Sequence, residues 1–269
     1  MGTIELAEKT NNLLIGTSGY DYPEWRDVFY PKELHRSSFL DYYADTFSAV
    51  ELNYTYYKMP GEKGIRSLLT RSRKPLVFSI KAHKSLTHEI TAGWKDDADH
   101  LKNALRPLFE ENRLTSILCQ FPQSFHYTEE NRLYLDNLIK QLSPLPLVIE
   151  FRRKDWMIER VYEGLDKRNA GICIVDMPEL YHLPGFHPVI TGSKAYMRFH
   201  GRNAQSWYSA SGQNGSSRYN YLYSAKELEN AVPVVHYLKT KARLVQIFFN
   251  NHPGGAAAVN AKKLKELMQ

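Results

Sequence analysis

Cysteine is scarce: Cys119 and Cys173 are the only two in 269 residues. Neither sits in a CxxC or knuckle spacing and each lies inside an apolar run, which excludes a disulfide scaffold and a zinc knuckle. Reduced, buried thiols in a cytoplasmic protein are the expectation. No apolar stretch reaches the roughly 18 residues that cross a bilayer. The opening "MGTIELAEKTNN" has no basic-then-apolar leader, and Leu6 stands where a myristoylation motif needs Ser or Thr. No membrane partner is expected. Other signatures are missing too. "GTSGYDYPEW" has the wrong glycine spacing for a dinucleotide fingerprint, Ser18 within it has no evident base, and neither HExxH nor GxSxG occurs.

What is present is a globular composition, 43% hydrophobic and 24% charged, with 18 Tyr and 12 Phe. The net charge of +6 permits attraction to phosphates, but the Lys and Arg are dispersed rather than blocked. Short β-rich runs alternate with longer amphipathic ones. The runs at 13–19, 48–53, 76–84, 116–122, 147–152, 171–177, 195–201 and 244–251 read as strands. Helical patterns fall at 35–47, 62–72, 96–112, 129–142, 157–169, 224–240 and 256–267, and the Pro- and His-rich connection 177–194 reads as irregular. Eight strands evenly spaced among helices, with no linker to divide the chain, predict an α/β protein. The expected architecture is a single (β/α)8 TIM barrel over 1–269 with a long loop after strand 7. That loop, 201–223, has a Ser/Gly/Asn centre flanked by aromatics and is read as a lid.

Barrel enzymes place their chemistry at the C-terminal strand ends, and nearly every strand here turns polar at that end. The second ends in Glu51 and Asn53, the third in Lys81 and His83, the fourth in Gln120, and the fifth in Glu150 and Arg152. Asp176 ends the sixth, Arg198 and His200 the seventh, and Asn250, Asn251 and His252 the eighth. Residues two apart share a side of the strand at a spacing of about 6.6 Å, so acids and bases would meet in one mouth. Lys81, Arg152, Arg198 and Arg202 outnumber Glu51, Glu150 and Asp176, and an anion would balance them. The competing reading is an ion-pair network that only stiffens the barrel.

From these residues a small anionic substrate is expected, phosphorylated or carboxylated. Arg152, Arg198 and the amides of Gly254 and Gly255 would hold it. Glu51, Glu150 or Asp176 would act as general acid or base, with Lys81 and His200 polarising or donating. Asn53, His83, Gln120, Arg202, Asn250 and Asn251 complete the binding set, and Trp207 and Tyr221 close over it. Hydrolysis, isomerisation and elimination are all open. A Schiff base on Lys81 needs the low pKa that burial gives, which a salt bridge to Glu150 would reverse. No cofactor is expected. A divalent metal has suitable ligand types in His83, His200, His252, Glu51, Glu150 and Asp176, but it is not favoured, because Lys81 and Arg198 would repel it. Nucleic acid is the alternative partner, motivated by the basic balance and by aromatics beside Arg202 and Arg218. Oligomeric state is not encoded in any of these patterns.

These same segments carry a resemblance. "IGTSGYDYPEW", "FSAVELNYTYYKMP", "FSIKAHKSLTH", "CQFPQSF", "IEFRRKDW", "RFHGRN", "RYNYLYSAKEL" and "FFNNHPGGAAAVNA" resemble the YecE-like family, domain of unknown function family 72. The resemblance implies a cytoplasmic single-domain barrel and brings no reaction or catalytic residue with it. The implied fold is similar to the endonuclease IV and xylose isomerase barrels, whose His-rich metal ligand set is not visible here.

Overall fold

The computed structural model describes residues 12–72, 74–208 and 217–269. Its strands are β1 (Leu13–Thr17), β2 (Ala49–Leu52), β3 (Val77–Lys81), β4 (Leu114–Gln120), β5 (Leu147–Glu150), β6 (Gly171–Asp176), β7 (Lys194–Phe199) and β8 (Leu244–Phe249). All neighbours run parallel, in the order β1-β8-β7-β6-β5-β4-β3-β2, so the sheet curls into a nearly closed (β/α)8 barrel. The helices are α1 (Phe39–Thr46), α2 (Tyr54–Tyr57), α3 (Glu62–Arg71), α4 (Trp94–Glu110), α5 (Glu129–Leu142), α6 (Glu159–Asp166), α7 (Ala225–Lys241) and α8 (Ala256–Leu267). Among the described residues no helix separates β6 from β7.

Helix α1 starts later than the sequence pattern suggests, because a short 3-10 turn comes first. His35 caps the turn Arg36–Ser38 ahead of α1, and Lys154–Trp156 precedes α6. The four-residue α2 is absent from the sequence reading: "YTYY" has strand-like composition. It forms because the Thr55 hydroxyl, 3.0 Å from the Leu52 carbonyl and 2.6 Å from that of Lys81, ties this turn to β3. Sharper helix ends follow the rules of capping. Thr128 accepts from the Asn131 amide at α5, and Ser224 and Glu227 form a capping box at α7.

Alternate residues of each strand fill the barrel. Ala49, Leu118, Val148, Cys173, Tyr196 and Phe248 pack together as an apolar floor. Two residues further along each strand, the same inward parity brings Glu51, Gln120, Glu150, Arg198 and Asn250 above that floor. The buried acids and Arg198 thus collect at the C-terminal end of the strands.

β1 and β2 do not pair along their length. Their seam is held by a side chain: the Thr17 amide donates to Tyr43 Oη (2.9 Å), which itself donates to the Ala49 carbonyl (3.0 Å). Gly16 makes room for this contact, since a Cβ there would lie 2.1 Å from the Ala49 oxygen and 2.9 Å from the Tyr43 hydroxyl. Direct pairing begins only beyond it, at Ser18 and Glu51, where the Gly19 amide donates to the Glu51 carbonyl at 2.7 Å.

Candidate active site at the barrel mouth

Arg198, at the end of β7, lies between two carboxylates. Its Nη2 donates to Glu51 Oε1 and its Nη1 to Glu150 Oε2, each at 2.7 Å. The other oxygens are also taken: Tyr196 Oη donates to Glu51 Oε2 (2.7 Å), and Arg152 Nε donates to Glu150 Oε1 (2.5 Å). Glu51, Glu150 and His200 are completely buried. Burial alone would neutralise Glu150, but Arg152 and Arg198 outweigh it and hold the carboxyl well below its usual range. For Arg198 burial opposes the charge and Glu150 and Glu51 more than restore it.

His200 is neutral. Burial, then the neighbouring Arg152, push its pKa down to about 3. With Asn250 Nδ2 donating to Nδ1 (3.1 Å), the proton is assigned to Nε2, 3.2 Å from Glu150 Oε1. Lys81 differs from both arginines. Its Nζ donates to Gln120 Oε1 at 2.8 Å and lies 4.3 Å from the centre of the Tyr56 ring. Among the described residues no carboxylate pairs with it. Burial and then the positive charge of Arg198 lower its pKa to about 7, with Glu150 opposing.

Above these groups opens a cavity of about 680 Å³, and Lys81, Arg152 and Arg198 reach it from below. Asn53, Asn250 and Gly254 line its sides, with Tyr22, Tyr57, Tyr219 and His252 forming an aromatic rim. The Tyr22 and His252 rings stack at 4.9 Å. Three cavity-lining residues carry a buried polar atom without a hydrogen-bond partner among the described residues: Asn53 Oδ1, Arg198 Nε and His252 Nδ1.

Residues 14–269 match the family described as protein of unknown function DUF72. The chain belongs to this family. The UPF0759 protein YunF of Bacillus subtilis (strain 168) is 29% identical over 269 residues, covering 95% of this chain and 94% of that protein. The crystal structure of a DUF72 family protein from Thermotoga maritima MSB8 superposes with a TM-score of 0.87 at 36% identity, covering 95% of this chain and 98% of that one. A DUF72 family protein from Enterococcus faecalis V583 shares the fold at a TM-score of 0.84 and 24% identity, with 95% of each chain covered.

In this DUF72 chain several sequence-predicted site residues lie elsewhere. Asp176 has outward parity: Cys173, three residues earlier on β6, points inward, with Sγ 3.7 Å from Glu150 Oε2. Asp176 instead accepts from Arg202 (2.9 and 2.6 Å) and from Tyr223 Oη (2.6 Å), outside the barrel. Arg202 and Asp176 therefore leave the charge count together, and at the buried base of the mouth three cations face two carboxylates, with a third carboxylate, the exposed Glu24, on the rim. Tyr221 does not close over the cavity, because its hydroxyl donates to Glu227 (2.6 Å). Asn251 also points outward and ties α8 to the backbone, donating to Asn260 Oδ1 and the Tyr221 carbonyl. Gly255 packs against Val28 and His83 caps a 3-10 turn through Ser85. Arg198 is bound by carboxylates on both terminal nitrogens, and its Nε is left without a partner among the described residues.

Part of the expected lid, 209–216, lies outside the described residues. Of the rest, Trp207 is buried with its ring 5.9 Å from the Arg152 guanidinium, and Tyr219 meets it edge-on at 6.2 Å. Sequence reading missed Tyr22 and Tyr57 as lining residues. The signal was there in "GYDYPEW" and "NYTYY", which follow β1 and β2 at the same face as the other strand ends. Among the described residues no group of three or more His, Cys, Asp or Glu is placed to hold a metal ion. No described helix is long and apolar enough to cross a membrane.

Proposed function

We propose that this protein is an enzyme binding a small anionic substrate, phosphorylated or carboxylated, at the mouth of the barrel, where Lys81 carries the acid/base chemistry. The observation that carries this reading is the excess of three cations over two carboxylates, Glu51 and Glu150, at the buried base of an open cavity, where the further carboxylate of Glu24 is solvent-exposed on the rim. Arg152 is the anion-binding group. Its Nε is spent on Glu150 and its Nη2 approaches His200, whereas Nη1 has no protein partner among the described residues. Asn53, Asn250, Tyr57 and Tyr219 line the same cavity and supply further polar contacts. A group titrating near pH 7 is suited to give and take protons at that pH. Glu51, Glu150 and His200 are too deeply buried to touch a substrate, so they position Arg152 and Arg198 and set the field at Lys81.

A hollow of about 690 Å³ at the opposite end of the barrel is also basic, lined by Lys140, Arg168, Lys194 and Arg243. There Lys140 and Arg168 share the single carboxylate of Asp136, Lys194 donates to the Thr115 carbonyl, and no acid/base pair converges. Buried, unpaired thiols at Cys119 and Cys173 support a cytoplasmic setting.

The test is thermal stabilisation and calorimetry with inorganic phosphate, glycerol phosphate and succinate as probes. Stabilisation is expected in the wild type and is expected to be lost in Arg152→Ala. Binding should weaken above pH 7, because deprotonated Lys81 no longer attracts the anion. Failure of all three probes to stabilise the protein, or equal stabilisation of Arg152→Ala, would overturn the proposal. Tight, steeply salt-dependent binding of an oligonucleotide without response to these small anions would replace it with the nucleic-acid reading.

A further inference from the structure

We propose that Lys81 is a nucleophile that condenses with the carbonyl group of its substrate, so that the ligand class is an anionic aldehyde or ketone. This rests on the reading of the mouth as an anion site and names the reactive group the ligand must carry.

Lysines in folded proteins are ordinarily paired or solvated. Lys84, three residues on, bridges to Glu89. Lys81 is neither. It stands among Arg198, Arg152, Glu51 and Glu150, and every carboxylate oxygen of that group is already engaged by an arginine or by Tyr196. Its one polar contact is the uncharged Gln120 oxygen. That orientation is assigned by the amide's other end, where Nε2 donates to the Phe121 carbonyl at 2.9 Å, leaving Oε1 to face Lys81. One amine hydrogen is thereby anchored and the lone pair stays available. The salt bridge to Glu150 that would keep the group protonated is not formed, and a pKa near 7 follows from the same surroundings. The amine also opens onto the cavity, so a carbonyl compound can reach it.

The step is balanced within the site and needs no oxidant. The amine nitrogen attacks the carbonyl carbon, forming a C–N bond as the C=O π pair moves to oxygen, which takes up a proton to give a carbinolamine. Both original amine hydrogens and the carbonyl oxygen then leave as one water, and the C=N bond is formed. Arg152 would hold the anionic end of the same molecule.

The probe is pyridoxal phosphate, which carries an aldehyde and a phosphate, compared with pyridoxal, which lacks the phosphate. Cyanoborohydride reduction followed by peptide mapping is expected to place the adduct on Lys81, with yield rising through pH 7. Lys81→Met should abolish this adduct and Lys194→Met should leave it intact. Gln120→Glu should suppress it at pH 7 by setting a carboxylate beside the amine, with recovery at higher pH. That variant keeps the inference falsifiable if Lys81→Met fails to fold. Modification confined to surface lysines, or a Lys81 adduct whose pH midpoint is that of an ordinary lysine, would overturn it. If phosphate stabilises the protein through Arg152 yet no Lys81 adduct forms, the imine falls and the anion site stands. An adduct formed equally by pyridoxal and its phosphate keeps the imine and removes the anion site, and absence of both effects removes both.

Discussion

His200 and Glu150 define how the molecule should respond to acid. Both are fully buried, and His88, partly buried beside Gln120, has its pKa pushed down to about 4 by burial and by Lys81. A histidine whose folded pKa is depressed stays unprotonated in the native state while the unfolded chain binds a proton below about pH 6.5. Stability is therefore lost as pH falls from about 6.5 toward 3 for His200, and the depressed carboxyl of Glu150 adds to the loss at the acid end. His200→Asn should flatten the upper part of that curve. Chemical denaturation at pH 7 and pH 4 is expected to show a difference between wild type and variant on the order of several kcal/mol. An identical pH dependence would mean that His200 is not held neutral. At this scale the sequence reveals residue types and not their partners. That Glu150 needs a cation is evident from its place in "LVIEF", whereas its choice of Arg198 and Arg152 over Lys81 depends on how β3, β5 and β7 meet across the barrel. The same limit explains Asp176. Its outward parity is set by where β6 ends, a boundary that a run of apolar residues leaves open by one position.

At the scale of the element, the weakest joint is the seam between β1 and β2, where one hydroxyl replaces a ladder of backbone bonds. Tyr43→Phe would leave the Thr17 amide and the Ala49 carbonyl buried without partners. The expected cost is about 1–3 kcal/mol. Equilibrium denaturation checks it, with amide exchange at Thr17 accelerated ahead of the other strands. No change in either would show that the seam closes without the hydroxyl. All eight strands were legible because each is an apolar, β-rich run bounded by turn residues, and burial in a parallel barrel demands that composition. The seam was not legible, since Tyr43 lies on α1 and nothing local marks its hydroxyl as a bridge. The short α2 was hidden for a related reason: tertiary bonds from Thr55 overrode the strand propensity of its aromatics.

For the whole molecule, binding at the mouth should be read out as global stability, since the site is assembled from residues of β2, β3, β5, β7 and the loops that follow. A ligand present at 100 times its dissociation constant adds about 2.7 kcal/mol to a barrel that binds it only when folded. For a domain near this size that corresponds to a rise in Tm of roughly 5–10 °C. Scanning calorimetry of wild type and Lys81→Met with phosphate checks this, and an unshifted Tm in the wild type would mean that phosphate does not bind the folded barrel. The passage between β6 and β7 has a separate bearing on what the ring tolerates. Other crossovers seat a helix on the outer wall, but residues 177–193 run as irregular chain, and 186–188 are exposed. A fluorescent reporter spliced between those positions would unseat no helix and cut no strand, making this the natural point at which the barrel can accept a foreign cargo and keep its circle whole.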